Sequence, residues 1–347
     1  MVLQKIIDRF KTRRKNAYLD SLDSYKYKYA FIGTGYHSIS NLYPCLENIN
    51  LPLRYIFSKQ LSNAQQLSKR FPGCKGTDSF KEILNDPEVK GLFISVKPSL
   101  HFEFLKEALQ LKKHVFVEKP ICQNSQDLSE LMRVQGNSIC VPGLQKRFGL
   151  INQSLKKFNL QNKTISYTYR YCTGNYPEGN PVYELFIHPV DNIIQLFGRP
   201  RTFTIQSSKK NSGITYQLLV IHESGINGMI ELSTNYSWKE PIDEMVINLD
   251  NETLQVNYPN QLTGTEKLSN IAGIPLEKIR QQPVIKKIYF DNKQFSSMLE
   301  TNNLAIQGFY PELKHFVSLV EGSRNDNFGK LETLVATYDL LDKLASS

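Results

Sequence analysis

The sequence predicts an α/β protein: a doubly wound parallel sheet first, then an α+β part with an open, mostly antiparallel sheet. Two observations predict it. Up to about residue 147, short apolar runs alternate with helix-period segments, as strands buried on both faces require. Beyond it, segments of period-two alternation adjoin without helices between them, the pattern of a sheet with one wet face.

The elements follow in order. Tyr29-Ala30-Phe31-Ile32 is a buried strand ending at Gly33, and Ile39, Leu42, Tyr43 and Leu46 then take helical spacing. Leu53–Phe57 is the second strand, and Ala64, Leu67 and Phe71 mark the next helix. Gly91–Val96 is a third strand, with Phe102, Leu105, Ala108 and Leu109 on one helical face after it. His114–Val117 and Ile139–Val141 complete the series, and strands spaced by helices imply parallel crossovers. Thr164–Tyr169, Thr202–Gln206, Thr215–Ile221, Asn227–Thr234, Asp243–Leu249 and Thr253–Tyr258 are the strands of the second sheet. Residues 259–306 read as a long excursion. Two amphipathic helices close the chain, one carrying Leu313, Phe316, Val317 and Val320, the other Leu331, Leu334, Val335, Tyr338 and Leu341.

Composition narrows the function classes. The chain of 347 residues carries a net charge of +9. Residues 1–26 form a basic extension without nucleic-acid-binding motifs, so neither a nucleic acid nor a membrane partner is expected. The N-terminus lacks the apolar core of a secretory signal, and no apolar run is long enough to span a bilayer. None of the five cysteines sits in a C-x-x-C pair, which suits a reducing cytoplasm; no metal site is expected.

Gly33-Thr34-Gly35-Tyr36-His37-Ser38 joins the first strand to the first helix. Gly33 allows a tight turn, Gly35 lets a pyrophosphate approach the backbone, and the helix N-terminus faces that anion. Ser38 takes the place of the third glycine. This is a dinucleotide-binding, Rossmann-type turn. At the end of the second strand stand Ser58 and Lys59, where NAD-binding folds carry Asp or Glu for the ribose 2′-hydroxyl. A hydroxyl and a cation suit a 2′-phosphate, so NADP(H) is expected over NAD(H).

Further on stand His101, Ala108-Leu109, Lys113-His114-Val115 and Glu118-Lys119-Pro120. With these motifs the chain resembles the Gfo/Idh/MocA oxidoreductases, the family of glucose–fructose oxidoreductase and inositol dehydrogenase. The match keeps register over Ile94–Pro120, with Lys112 where the family usually has Gly and Val96-Lys97-Pro98 where it usually has Thr-Pro-Asn. The resemblance implies that Lys119 binds the reacting oxygen and stabilises developing charge, and that Glu118 lies near the nicotinamide ribose. Cofactor contacts are expected from Gly33, Thr34, Gly35, Tyr36, His37, Ser58, Lys59, Ser95, Lys97, Pro98, His101 and Glu118.

Glu184-Leu185-Phe186-Ile187-His188-Pro189-Val190-Asp191 resembles the family's D-x-x-x-H-x-x-D segment, with Glu in place of the first Asp. Its spacings predict Glu184, His188 and Asp191 on one helical face. By position His188 is the general acid/base, Glu184 its partner and Asp191 a substrate-binding group. The organisation expected is an extension (1–26), a dinucleotide-binding domain (27–147) and a substrate-binding and oligomerisation domain (148–347). The activity expected is hydride transfer between nicotinamide and a secondary hydroxyl or carbonyl of a sugar, sugar derivative or cyclitol, in a homodimer or homotetramer. The same resemblance leaves open an imine or tetrapyrrole reductase, a redox-neutral NAD-dependent glycosidase, and a non-catalytic cofactor-sensing regulator.

Overall fold

Six parallel strands build the first sheet: β1 (Lys28–Ile32), β2 (Leu53–Phe57), β3 (Lys75–Thr77), β4 (Val89–Ile94), β5 (His114–Glu118) and β6 (Cys140–Gly143). Their spatial order is β3-β2-β1-β4-β5-β6. The order reverses between β1 and β4, so a crevice opens beyond the carboxyl ends of these two strands, where doubly wound sheets collect ligands. The structure, a computed structural model, describes residues 2–21, 25–267, 270–271, 273–279, 284–292 and 302–347. Tyr29, Ala30, Phe31 and Ile32 are fully buried, as a central strand covered on both faces must be.

Among the strands and α-helices between residues 27 and 143, three lie outside the sequence expectation: β3, helix Phe80–Asn85 and helix Ser125–Gln135. Each helix starts at a capping side chain, Ser79 accepting from Glu82 N and Asn124 from Asp127 N. Lys112, at the position where the resemblance expects Gly, has φ +57°, a left-handed conformation that glycine adopts without cost.

The second sheet combines β7 (Thr164–Cys172), β8 (Pro200–Lys210), β9 (Gly213–His222), β10 (Asn227–Ser233), β11 (Ile242–Leu249), β12 (Glu252–Asn257) and β13 (Gln261–Glu266). A ribbon of β14 (Asn270–Ile271) and β15 (Ile274–Pro275) follows, and β16 (Lys286–Asp291) returns to the sheet edge. The order is β16-β13-β12-β11-β7-β10-β9-β8, antiparallel except between β7 and β10. The excursion expected over 259–306 thus contains strands, and parts of it lie outside the described residues.

Helix Ile187–Phe197 is buried along nearly its whole length, because it sits between the second sheet and the closing helix Val335–Ala345. Phe197 stacks on Tyr167 of β7 at 4.1 Å between centroids. Helix Phe309–Val320 instead packs on the first sheet, with Phe316 edge-on to Phe93 at 5.2 Å and against Phe116 at 6.3 Å. Among the described residues, no helix is long and apolar enough to cross a membrane.

Candidate active site

The turn after β1 is shaped by contacts that leave no room at Gly33. Its φ is +126°, and a Cβ there would lie 1.9 Å from the Ser95 carbonyl oxygen at the end of β4. Its own carbonyl accepts from the Tyr43 hydroxyl at 2.8 Å. Around Gly35 there is open space instead, with no atom within 4 Å of a built Cβ. Ser38, in the place of the third glycine, is buried and donates to Ser95 Oγ at 2.9 Å. A serine therefore tightens the helix against β4 through a hydrogen bond where glycine would do so by size. Thr34 donates to Ser58 Oγ at 3.1 Å, which ties the turn to the end of β2; Lys59 and Tyr36 are exposed.

His37 reaches across the turn, its Nε2 lying 3.3 Å from Glu118 Oε1. Burial pushes the Glu118 carboxyl up, but His37, Lys119 and His101 together outweigh it and hold the group below its ordinary range. Glu118 Oε2 also accepts from the Lys119 amide at 3.2 Å. The Lys119–Pro120 bond is cis. His101 is buried, with Nδ1 2.7 Å from the Pro120 carbonyl and Nε2 3.1 Å from the Val96 carbonyl. It fastens the 96–98 loop to the Glu-Lys-Pro corner. Pro98 opens helix Pro98–Gln110 at its first turn, with Lys97 exposed at the N-cap.

Lys119 Nζ donates to the Glu184 carbonyl at 2.6 Å, which brings the corner to the second segment. Desolvation lowers the lysine pKa, against the opposing pull of Glu118 and Glu184. His188 is buried, and its Nδ1 has no hydrogen-bond partner among the described residues. Burial, and then the charges of Lys119, Lys146 and His37, hold its pKa well below the usual value, so the ring is neutral at pH 7.

The expected single helical face is corrected here. Glu184 belongs to the short helix Pro181–Glu184, and a new helix begins only at Ile187. Pro189 is the cause: it is confined to a helix's first turn, so a helix containing it cannot extend back to residue 184. The Glu184 carboxylate accepts from the Tyr176 hydroxyl at 2.8 Å and from the Asn180 amide at 3.1 Å rather than from His188. What Glu184 contributes to the crevice is its carbonyl. Asp191, expected as a substrate group, is buried and paired to Arg147, whose Nε and Nη2 donate at 2.8 and 2.5 Å.

Sequence reasoning missed three side chains. Arg147 also donates to Thr333 Oγ1 at 2.7 Å and to the Phe328 carbonyl at 3.1 Å. Lys146 lies inside a cage of tyrosine rings, 4.7 Å from the Tyr258 centroid, 5.3 Å from Tyr171 and 5.9 Å from Tyr169, and pairs with Asp243. With His188, Asp243, Asn152 and Gln307 it lines a cavity of about 240 Å³. The signal was available: adjacent cations just beyond the carboxyl end of a parallel strand point into the crevice. Glu312 carried no such signal. It lies buried on helix Phe309–Val320, accepts from Leu144 N at 2.6 Å, and is raised well above the carboxylate range by burial and then by Glu118.

Comparison with known proteins speaks to the fold and to the first sheet's family. Residues 27–141 match the GFO_IDH_MocA family model, described as an oxidoreductase family with an NAD-binding Rossmann fold. The oxidoreductase YhhX of Escherichia coli is 30% identical over 138 residues, 36% of this chain and 40% of that one. The scyllo-inositol 2-dehydrogenase (NADP(+)) IolW of Bacillus subtilis is 24% identical over 171 residues, 44% of this chain and 47% of that one. These alignments thus span less than half of the relatives' own lengths. A dehydrogenase structure from Chromobacterium violaceum superposes with a TM-score of 0.78 at 16% identity, covering 92% of this chain and 94% of that one. The family match thus covers the part of the chain that holds the glycine turn and the Glu-Lys-Pro corner, and the structural likeness shows that the two-sheet fold is shared.

Proposed function

We propose that the protein is an NAD(P)-dependent oxidoreductase acting on a secondary hydroxyl, or the matching carbonyl, of a sugar, sugar derivative or cyclitol. The observation that carries this reading is the joining of the Glu-Lys-Pro corner to the His188 segment: Lys119 Nζ donates to the Glu184 carbonyl, and the charges of Lys119 and His37 act on His188. The chain's residues fit a dinucleotide: the space over Gly35 is open, and Thr34, Ser58 and Glu118 border the turn. A nicotinamide dinucleotide held there would supply the hydride acceptor for oxidation of the carbinol carbon, and in its reduced form the hydride donor for the reverse reaction. Lys119, aimed by its bond to the Glu184 carbonyl, donates to the reacting oxygen and stabilises its developing charge. His188 accepts the hydroxyl proton as the carbonyl forms, and returns it in the reverse direction.

NADP(H) is the cofactor this reading favours, because Ser58 and Lys59 stand where a carboxylate would repel a 2′-phosphate. The Bacillus subtilis relative carries both NADP and a cyclitol in its name, which supports the same choice. Five free cysteines support a cytoplasmic setting. Leu219, Met229 and Val246 form an exposed row with Thr168 across β9, β10, β7 and β11, with Ile221 two residues further along β9, which supports a homo-oligomer covering that face.

Incubation with NADP and a panel of sugars, nucleotide-sugars and cyclitols tests the activity through absorbance of the reduced cofactor. Lys119→Ala and His188→Ala should each keep cofactor affinity and lose on the order of 10²–10⁴ in turnover. Wild-type turnover in either variant would remove that residue from the mechanism. Tighter binding of NADH than NADPH in a fluorescence titration would reverse the cofactor assignment, and a monomeric sedimentation mass would remove the oligomer.

A further inference from the structure

Helix Val2–Ser21 precedes both sheets and is built to a pattern. Leu3, Ile6, Ile7 and Phe10 recur at helical spacing and so form one stripe along two turns. All four point outward, with exposures of 73%, 58%, 39% and 65%. Single exposed apolar side chains are ordinary, but an aligned row of them is a contact surface. Lys11 and Arg13 flank the stripe on opposite sides, and Lys15 and Arg9 lie beyond them. The helix carries six Lys/Arg against Asp8 and Asp20.

Each half of this pattern limits the partner. A nucleic-acid backbone would engage the cations and leave the stripe in water. A groove on another protein would take the stripe but has no need of cations along both flanks. An anionic bilayer surface uses both: the apolar side chains enter the boundary between headgroups and acyl chains, and the flanking Lys and Arg reach the phosphates. We propose that this helix lies flat on an anionic phospholipid surface and docks the enzyme there. This peripheral contact replaces the expectation of no membrane partner and involves no spanning segment.

Co-sedimentation of the full chain with phosphatidylcholine vesicles, with and without about one-third phosphatidylserine, tests the proposal. The wild type should pellet with the anionic vesicles only. Raising the salt from ~0.1 to ~1 M should release it, as the screening length falls from about 10 to about 3 Å. A variant combining Arg9→Gln, Lys11→Gln and Arg13→Gln should lose partitioning on the order of a hundredfold. A variant combining Leu3→Ser, Ile6→Ser and Phe10→Ser should lose at least as much. Both should keep wild-type melting temperature and oxidoreductase activity. A wild-type chain left in the supernatant, or pelleting equally with neutral vesicles, overturns the proposal. So does salt-sensitive RNA binding, or self-association lost in the stripe variant, without vesicle binding.

Discussion

Removing the Arg147 guanidinium is the sharpest test of how helix Ile187–Phe197 is anchored through Asp191. Arg147 and Asp191 side chains are 4% and 3% exposed, and both carboxylate oxygens accept from the guanidinium. In Arg147→Ala, Asp191 keeps the Thr337 hydroxyl at 3.2 Å as its side-chain donor among the described residues, and the Phe328 carbonyl and Thr333 lose a donor. Breaking a buried pair from one side costs about 3–5 kcal/mol, chiefly because the surviving charge stays buried. For 347 residues unfolding together the midpoint entropy is about 0.7 kcal/mol/K, so the melting temperature should fall by roughly 4–7 °C. Differential scanning calorimetry of Arg147→Ala, Asp191→Ala and the double variant measures this. The double variant should be no worse than either single one, since no buried charge is left alone. A fall of under about 1 °C in Arg147→Ala, or a double variant losing the sum of both, would refute the reasoning. Asp191→Asn also separates the two roles weighed for this carboxylate. A raised KM with unchanged melting temperature would return it to substrate binding, whereas a lowered melting temperature belongs to the Arg147 anchor.

Gly33→Ala meets a backbone oxygen at 1.9 Å in a left-handed conformation, so NADPH affinity measured by fluorescence should fall at least about tenfold. Lys112→Gly should stabilise by roughly 0.5–1 kcal/mol in urea unfolding, the relief of left-handed strain exceeding the added chain entropy. Lys146→Met should raise KM about tenfold or more with cofactor affinity unchanged, because it removes the cation of the 240 Å³ cavity. His101, His114, His188, His222 and His315 are each held below the ordinary histidine pKa, with burial the largest cause. Below about pH 6.5 the unfolded chain therefore binds more protons than the folded one, and each histidine removes up to about 1.4 kcal/mol per pH unit. The melting temperature should drop steeply between pH 7 and pH 5, and a flat profile would contradict these environments.

The first sheet was legible because its strands announce themselves: Tyr29–Ile32 and Leu92–Ile94 are apolar at every position, as burial on both faces demands. β3 escaped because Lys75-Gly76-Thr77 is short and polar, and backbone pairing to β2 alone makes it a strand. At the site, local motifs were readable and long-range partners were not. The Glu-Lys-Pro corner and His188 stand out in sequence, but the pairing of Arg147 with Asp191, 44 residues away, depends on packing that no spacing encodes. Spacing also misled between residues 184 and 191, where the apparent helical period outweighed what Pro189 does to the turn before it.

The aromatic seal over one face of the first sheet has a consequence for biosynthesis. Phe93 and Phe116 leave the ribosome about 200 residues ahead of Phe316, the ring that covers them. The nascent sheet must wait with a bare apolar surface until helix Phe309–Val320 has been translated. Chains stalled before helix Phe309–Val320 should therefore recruit chaperones or clump, while released full-length chains close the gap themselves.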